Sequence, residues 1–128
     1  MPALLPDDVQ HAIELFEPLG LIRTKRMFGG WGFYVDDLFF ALIARDTLYL
    51  KADAVSAPQF KAAGGEPFTY EREGKPFTLG YWTPPDSALD SPTAMAPWAR
   101  LGLDCALRHR AAKAGRKRPS RRSAGPNP

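Results

Sequence analysis

Residues 23–51 read Arg23-Thr24-Lys25-Arg26-Met27-Phe28-Gly29-Gly30-Trp31-Gly32-Phe33-Tyr34-Val35-Asp36-Asp37-Leu38-Phe39-Phe40-Ala41-Leu42-Ile43-Ala44-Arg45-Asp46-Thr47-Leu48-Tyr49-Leu50-Lys51. Aromatic and β-branched residues fill the runs, and Gly-Gly, Asp-Asp and Arg-Asp separate them. That alternation predicts a meander of three or four short antiparallel strands. Gly29-Gly30 reads as a turn or bulge, where glycine supplies φ > 0 or a close backbone approach. Leu38–Ala44 is apolar on both faces, with Phe39, Ala41 and Ile43 pointing one way and Leu38, Phe40, Leu42 and Ala44 the other. Such a strand needs cover on both sides. Helices can supply it, or a second subunit can, and a homodimer burying Phe39, Ala41 and Ile43 is the expectation.

Working outward, Pro6-Asp7-Asp8 starts a helix whose Val9, Ala12, Ile13 and Phe16 fall on one face. Pro18 and Gly20 end it. After the meander, Asp53 can cap a short helix carrying Phe60 and Ala63, closed by Gly64-Gly65. A hairpin of Pro67–Glu71 and Pro76–Trp82 follows. The last helix is expected from about Ala96 to about Ala112, with Pro97 near its first turn. Arg100, Asp104 and Arg108 form a narrow polar stripe suited to a charge ladder. The expected architecture is α+β and two-layered, with an antiparallel sheet in α-β(3)-α-β(2)-α order.

The chain has 128 residues, enough for one domain and not two. Residues 1–107 hold nine basic and fourteen acidic residues, a net of −5. The eight basic residues from Arg108 onward have no acidic counterpart, giving that end +8. The expected division is a domain over 1–112 and a basic, disordered tail over 113–128. Arg116, Lys117, Arg118, Arg121 and Arg122 are candidates for sequence-blind contact with DNA or RNA phosphates. A merely solubilising tail is the competing explanation.

Catalytic constellations are hard to find. His11 and His109 stand far apart in sequence, and no metal site or cofactor is expected. No Gly-x-Ser-x-Gly elbow is present. Cys105 reads as a buried thiol of raised pKa, and a Cys105–His109 pair lacks an orienting third group. Gly29-Gly30-Trp31-Gly32 is no phosphate cradle, because neither Gly-Lys-Ser/Thr nor a helix follows. A single cysteine excludes an internal disulfide. With no signal-like N-terminus and no apolar run long enough to span a bilayer, a cytoplasmic location away from membranes is expected.

One resemblance covers roughly residues 8–110. Arg26-Met27-Phe28-Gly29-Gly30-Trp31-Gly32-Phe33-Tyr34-Val35-Asp36 resembles the signature of the N-terminal domain of TfoX (Sxy) proteins. Phe40-Ala41-Leu42-Ile43-Ala44, Leu48-Tyr49-Leu50-Lys51, Pro67-Phe68-Thr69-Tyr70, Gly74-Lys75-Pro76 and Trp98-Ala99-Arg100 follow in the matching order. Arg26, Gly29 and Gly30 are the candidate family-motif surface. The resemblance implies an antiparallel α+β fold similar to secretion chaperones. It implies a non-enzymatic regulator of natural competence that works with a transcription factor such as the cyclic-AMP receptor protein. No catalytic residues come with it. Members of full length carry a second domain, whereas the basic tail follows here. A dimeric, chaperone-like protein-binding module unrelated to transcription is the alternative.

Overall fold

The protein is described here by a computed structural model. Its backbone is described for residues 5–27 and 29–117, and its side chains for the same residues except 70–72, 76–79 and 115–117. Helix α1 spans Asp7–Phe16, and strands β1 Arg23–Met27, β2 Gly30–Val35, β3 Leu38–Ala44 and β4 Thr47–Lys51 follow. Helix α2 is Ala57–Ala62, strands β5 and β6 are Pro67–Arg72 and Lys75–Trp82, and helix α3 is Pro92–Lys117. The six strands form one open antiparallel sheet ordered β1-β2-β3-β4-β6-β5. The class is α+β, as the strand pattern implies.

The order differs from expectation by one strand, with four before α2 instead of three. Gly29-Gly30 causes the extra strand. Gly29 takes φ +74 at the turn, and Met27 pairs with Gly30, so β1 and β2 form a full hairpin. Gly30 is buried, and a Cβ there would run into the Ile43 carbonyl. The pair thus uses glycine for both reasons, left-handed backbone at one position and close approach at the next.

Two further hairpins close on two-residue turns. Asp36-Asp37 and Arg45-Asp46 all have positive φ, between 50 and 66°. Such mirror-image turns match the right-handed twist of the strands they join.

Helix α3 starts earlier and ends later than expected. Ser91 Oγ accepts a hydrogen bond from the Ala94 N–H at 3.1 Å, and Pro92 takes the first helical position. Pro97 therefore lies inside the helix. The helix continues past residue 112 to Lys117, across the expected edge of the tail.

Strand β3 solves its two-faced problem with a bulge. Phe33 pairs with Ala41, but the next residue, Tyr34, pairs with Phe39, so Phe40 is the extra residue. Phe40 and Ala41 consequently both turn inward, and the burial of β3 departs from strict alternation at that point. Leu38, Phe40, Ala41 and Ile43 join the core beneath the helices. Phe16 of α1 meets Phe33 and Phe40 edge-on, at 5.5 and 4.9 Å between ring centroids. Phe60 of α2 stacks obliquely on Trp98 of α3 at 5.4 Å. Gly102 lets α3 approach the Phe40 carbonyl and the Leu50 side chain.

The expected interface trio is therefore split. Ala41 is fully buried and Ile43 nearly so, while Phe39 stands half-buried on the opposite face. Simple alternation had put all three together, and the bulge breaks the alternation.

Candidate functional site

Cross-strand register places Leu42 beside Tyr49 and Lys51 beside Tyr81, all on the face away from the core. Phe39 joins them after the bulge. This face covers itself with its own aromatic rings. Phe39 lies 5.2 Å from Tyr34 and 5.9 Å from Tyr81, and Phe68 of β5 lies 4.9 Å from Tyr49 of β4. The rings are half-buried, not exposed.

Between these rings lies a cavity of about 610 Å³. Met27, Trp31, Phe39, Leu42, Phe68 and Tyr81 form its apolar walls, and among the described residues Arg45 brings the one charge. Gly32 makes room for two of them, because a Cβ there would meet the Met27 methyl at 2.6 Å and the Phe39 ring at 2.8 Å. Three cations stand against the wall rings. Arg45 lies 5.4 Å from the Phe68 centroid, Arg26 lies 5.7 Å from Trp31, and Lys51 lies 5.8 and 5.7 Å from Phe39 and Tyr81. Among the described residues none of the three cations enters an ion pair. Burial raises the Tyr81 phenol above its ordinary pKa, so it is a neutral hydroxyl.

A polar cluster joins the end of β4 to α3. Asp53 Oδ1 accepts the Val55 and Ser56 N–H groups at 3.1 and 3.2 Å, which turns the chain into α2. The same carboxylate receives Arg108, Nη2 to Oδ1 at 2.8 Å and Nε to Oδ2 at 2.9 Å. Arg108 thereby leaves the expected charge ladder, which keeps only Arg100–Asp104 at 3.1 Å. The Arg108 hydrogen bonds hold the Asp53 carboxyl well below the usual carboxylate range.

Cys105 and His109 complete the cluster. Cys105 Sγ lies 3.7 Å from His109 Nε2, which lies 3.8 Å from Asp53 Oδ2. Sequence reasoning saw the Cys–His spacing and missed the third group, since Asp53 lies on the far side of the chain order. Together the three could in principle hold a metal ion. The carboxylate, however, is already committed to a guanidinium. Burial, reinforced by the Asp53 charge, pushes the Cys105 thiol up to about 11. A thiol that is neutral at physiological pH is a poor nucleophile.

The remaining candidates fall apart as a group. Arg26 is exposed, Gly29 sits at an exposed turn on the cavity rim, and Gly30 is buried. They do not make one surface. Arg116 and Lys117 end α3, their side chains outside those described, and Arg118, Arg121 and Arg122 lie outside the described residues altogether. His11 Nε2 sits 3.0 Å from the Leu89 carbonyl, a packing contact between α1 and the segment before α3. No described helix is long and apolar enough to cross a membrane.

Protein Sxy of Escherichia coli (strain K12) is 29% identical over 118 residues, covering 92% of this chain. The chain spans 56% of that relative's length. The family model of the TfoX N-terminal domain matches residues 14–106, from the second half of α1 to the middle of α3. That match takes in the whole sheet and most of the core, and on it the chain belongs to the TfoX N-terminal domain family.

Proposed function

We propose that this chain is a non-enzymatic regulatory module, related to the control of natural competence, that acts through a protein partner. The family match across residues 14–106 carries the proposal. The partner class is a transcription factor such as the cyclic-AMP receptor protein. The neutral, buried Cys105 beside a carboxylate already held by Arg108 gives no support to covalent catalysis.

The charge division suggests how such a module would work. A body of net −5 offers a protein partner a surface unlike the +8 end. The basic end adds sequence-blind affinity for nucleic acid close to the partner's own site. Five phosphate contacts from Arg116, Lys117, Arg118, Arg121 and Arg122 would give a salt slope of about −4.5 on duplex DNA.

The test is gel-shift and fluorescence-anisotropy titration of promoter duplex with the cyclic-AMP receptor protein, with and without the full chain. The reading expects a supershifted ternary complex. A variant with those five residues changed to glutamine should keep the complex and lose most of the salt dependence. Truncation at residue 107 is the wrong control, because it removes Arg108 from Asp53 and cuts α3. If neither partner nor DNA binding is seen at physiological salt, the proposal fails.

A further inference from the structure

The regulatory reading leaves the cavity on the sheet face away from the core without a role. Its volume of about 610 Å³ lies within the roughly 300–1,000 Å³ of small-molecule sites. Its described walls are aromatic and aliphatic, and among the described residues the polar side-chain groups are the Arg45 guanidinium, the Tyr81 phenol and the Trp31 indole N–H. Among the described residues no acidic side chain lines it, and each neighbouring cation rests on a wall ring without a carboxylate partner. A complementary ligand has an apolar body and one negative charge.

Other occupants match less well. A nucleobase needs donors and acceptors to read its edges, and among the described residues no Asn, Gln, Ser or Thr lines the wall. Residues 113–128 are basic and hold no aromatic side chain and no Leu, Ile, Val or Met, so their composition complements neither Arg45 nor the apolar walls.

The backbone at Arg45 is also held in place. It opens the two-residue turn between β3 and β4, with φ +52, and Ala44 pairs with Thr47 directly behind it. That tight turn fixes the direction of its Cα–Cβ bond, and the guanidinium lies 5.4 Å from the Phe68 ring centroid.

We propose that this cavity binds a small apolar monocarboxylate, its hydrocarbon body lying among Met27, Phe39, Leu42 and Phe68 and its carboxylate paired with Arg45.

The experiment is isothermal titration of the full chain with dodecanoate, kept below its micellar range, and with naphthoate. The methyl ester of each acid serves as the uncharged control. One or both acids should bind saturably with one-to-one stoichiometry, and the esters should bind about tenfold more weakly. Arg45→Met keeps a long side chain on the same backbone. It should weaken the acids by about tenfold and leave the esters unchanged. Leu42→Trp, or Ala44→Trp should the first not fold, fills the space and should abolish binding, with circular dichroism confirming the fold. Failure of both acids to saturate the unmodified protein overturns the proposal. So does equal affinity of acid for the parent and Arg45→Met. Sedimentation velocity runs alongside, and a dimer abolished by Leu42→Trp would make the face a self-interface and overturn it too.

Discussion

Arg108 reaches back across fifty-five residues to hold Asp53 with two hydrogen bonds, at 2.8 and 2.9 Å. The same carboxylate accepts the N–H groups that begin the turn into α2. One side chain thus fastens the end of the sheet, the start of a short helix and the last long helix together.

Removing this junction should be costly. Asp53→Ala loses the charged pair and the local turn, and an expected cost is about 2 kcal/mol. Arg108 is partly solvated, so Arg108→Met should cost less, about 1 kcal/mol. Urea unfolding of both variants checks the order.

The pair also sets a pH dependence. Asp53 titrates lower in the folded chain than in the unfolded one. Its contribution is complete above the unfolded value, about 4, and is lost as pH falls below it. Arg108→Met should flatten the stability profile across that acid window, as thermal melts at stepped pH would show.

Cys105 should be slow to react. With its pKa pushed up to about 11, the folded thiol carries far less thiolate at pH 8 than an unfolded one near about 8.5. Alkylation by iodoacetamide should run about a hundredfold slower in the native protein than in denaturant. Timed mass spectrometry reads this directly. Native and denatured rates that agree would mean the thiol is not buried as described.

Two glycines of β2 should respond differently to alanine. At Gly30 the new methyl meets backbone, the Ile43 carbonyl, which cannot step aside. A loss of about 3 kcal/mol is expected. At Gly32 it meets the flexible end of Met27 and the edge of Phe39, so about 1 kcal/mol is expected. Chemical denaturation distinguishes the two.

Two turns offer stabilisation. Asp46 holds φ +63, where glycine is at ease, so Asp46→Gly should add about 1 kcal/mol. Asp37 holds φ +66 but also meets Arg23 at 2.7 Å in an exposed ion pair. Asp37→Gly should therefore gain less. Differential scanning calorimetry would order the variants.

Most element positions were already written in the chain. Asp36-Asp37 and Arg45-Asp46 mark tight turns, and β3 and β4 begin and end where the apolar runs do. Gly29-Gly30 shows a break through composition alone. These signals are local, carried by residues a few positions apart, and so they are readable in sequence. The start of α3 was readable as well, in Ser91-Pro92, but Pro97 drew attention to a later turn.

What lay beyond the sequence was long-range. Whether Phe40 is an extra residue depends on which residue of β2 it faces, and pairing register is a property of two strands. That one choice sent Ala41 and Ile43 into the core and left Phe39 on the open face. The cavity arose because β1 and β5, at opposite edges of the sheet, bring Met27 and Phe68 to one concavity. Asp53, Cys105 and His109 met because α3 crosses the end of β4. Periodicity and turn chemistry determined which segments are helices and strands, since both act along the chain. Tertiary packing alone decided which side chains share a surface, since that depends on contacts between residues far apart in sequence.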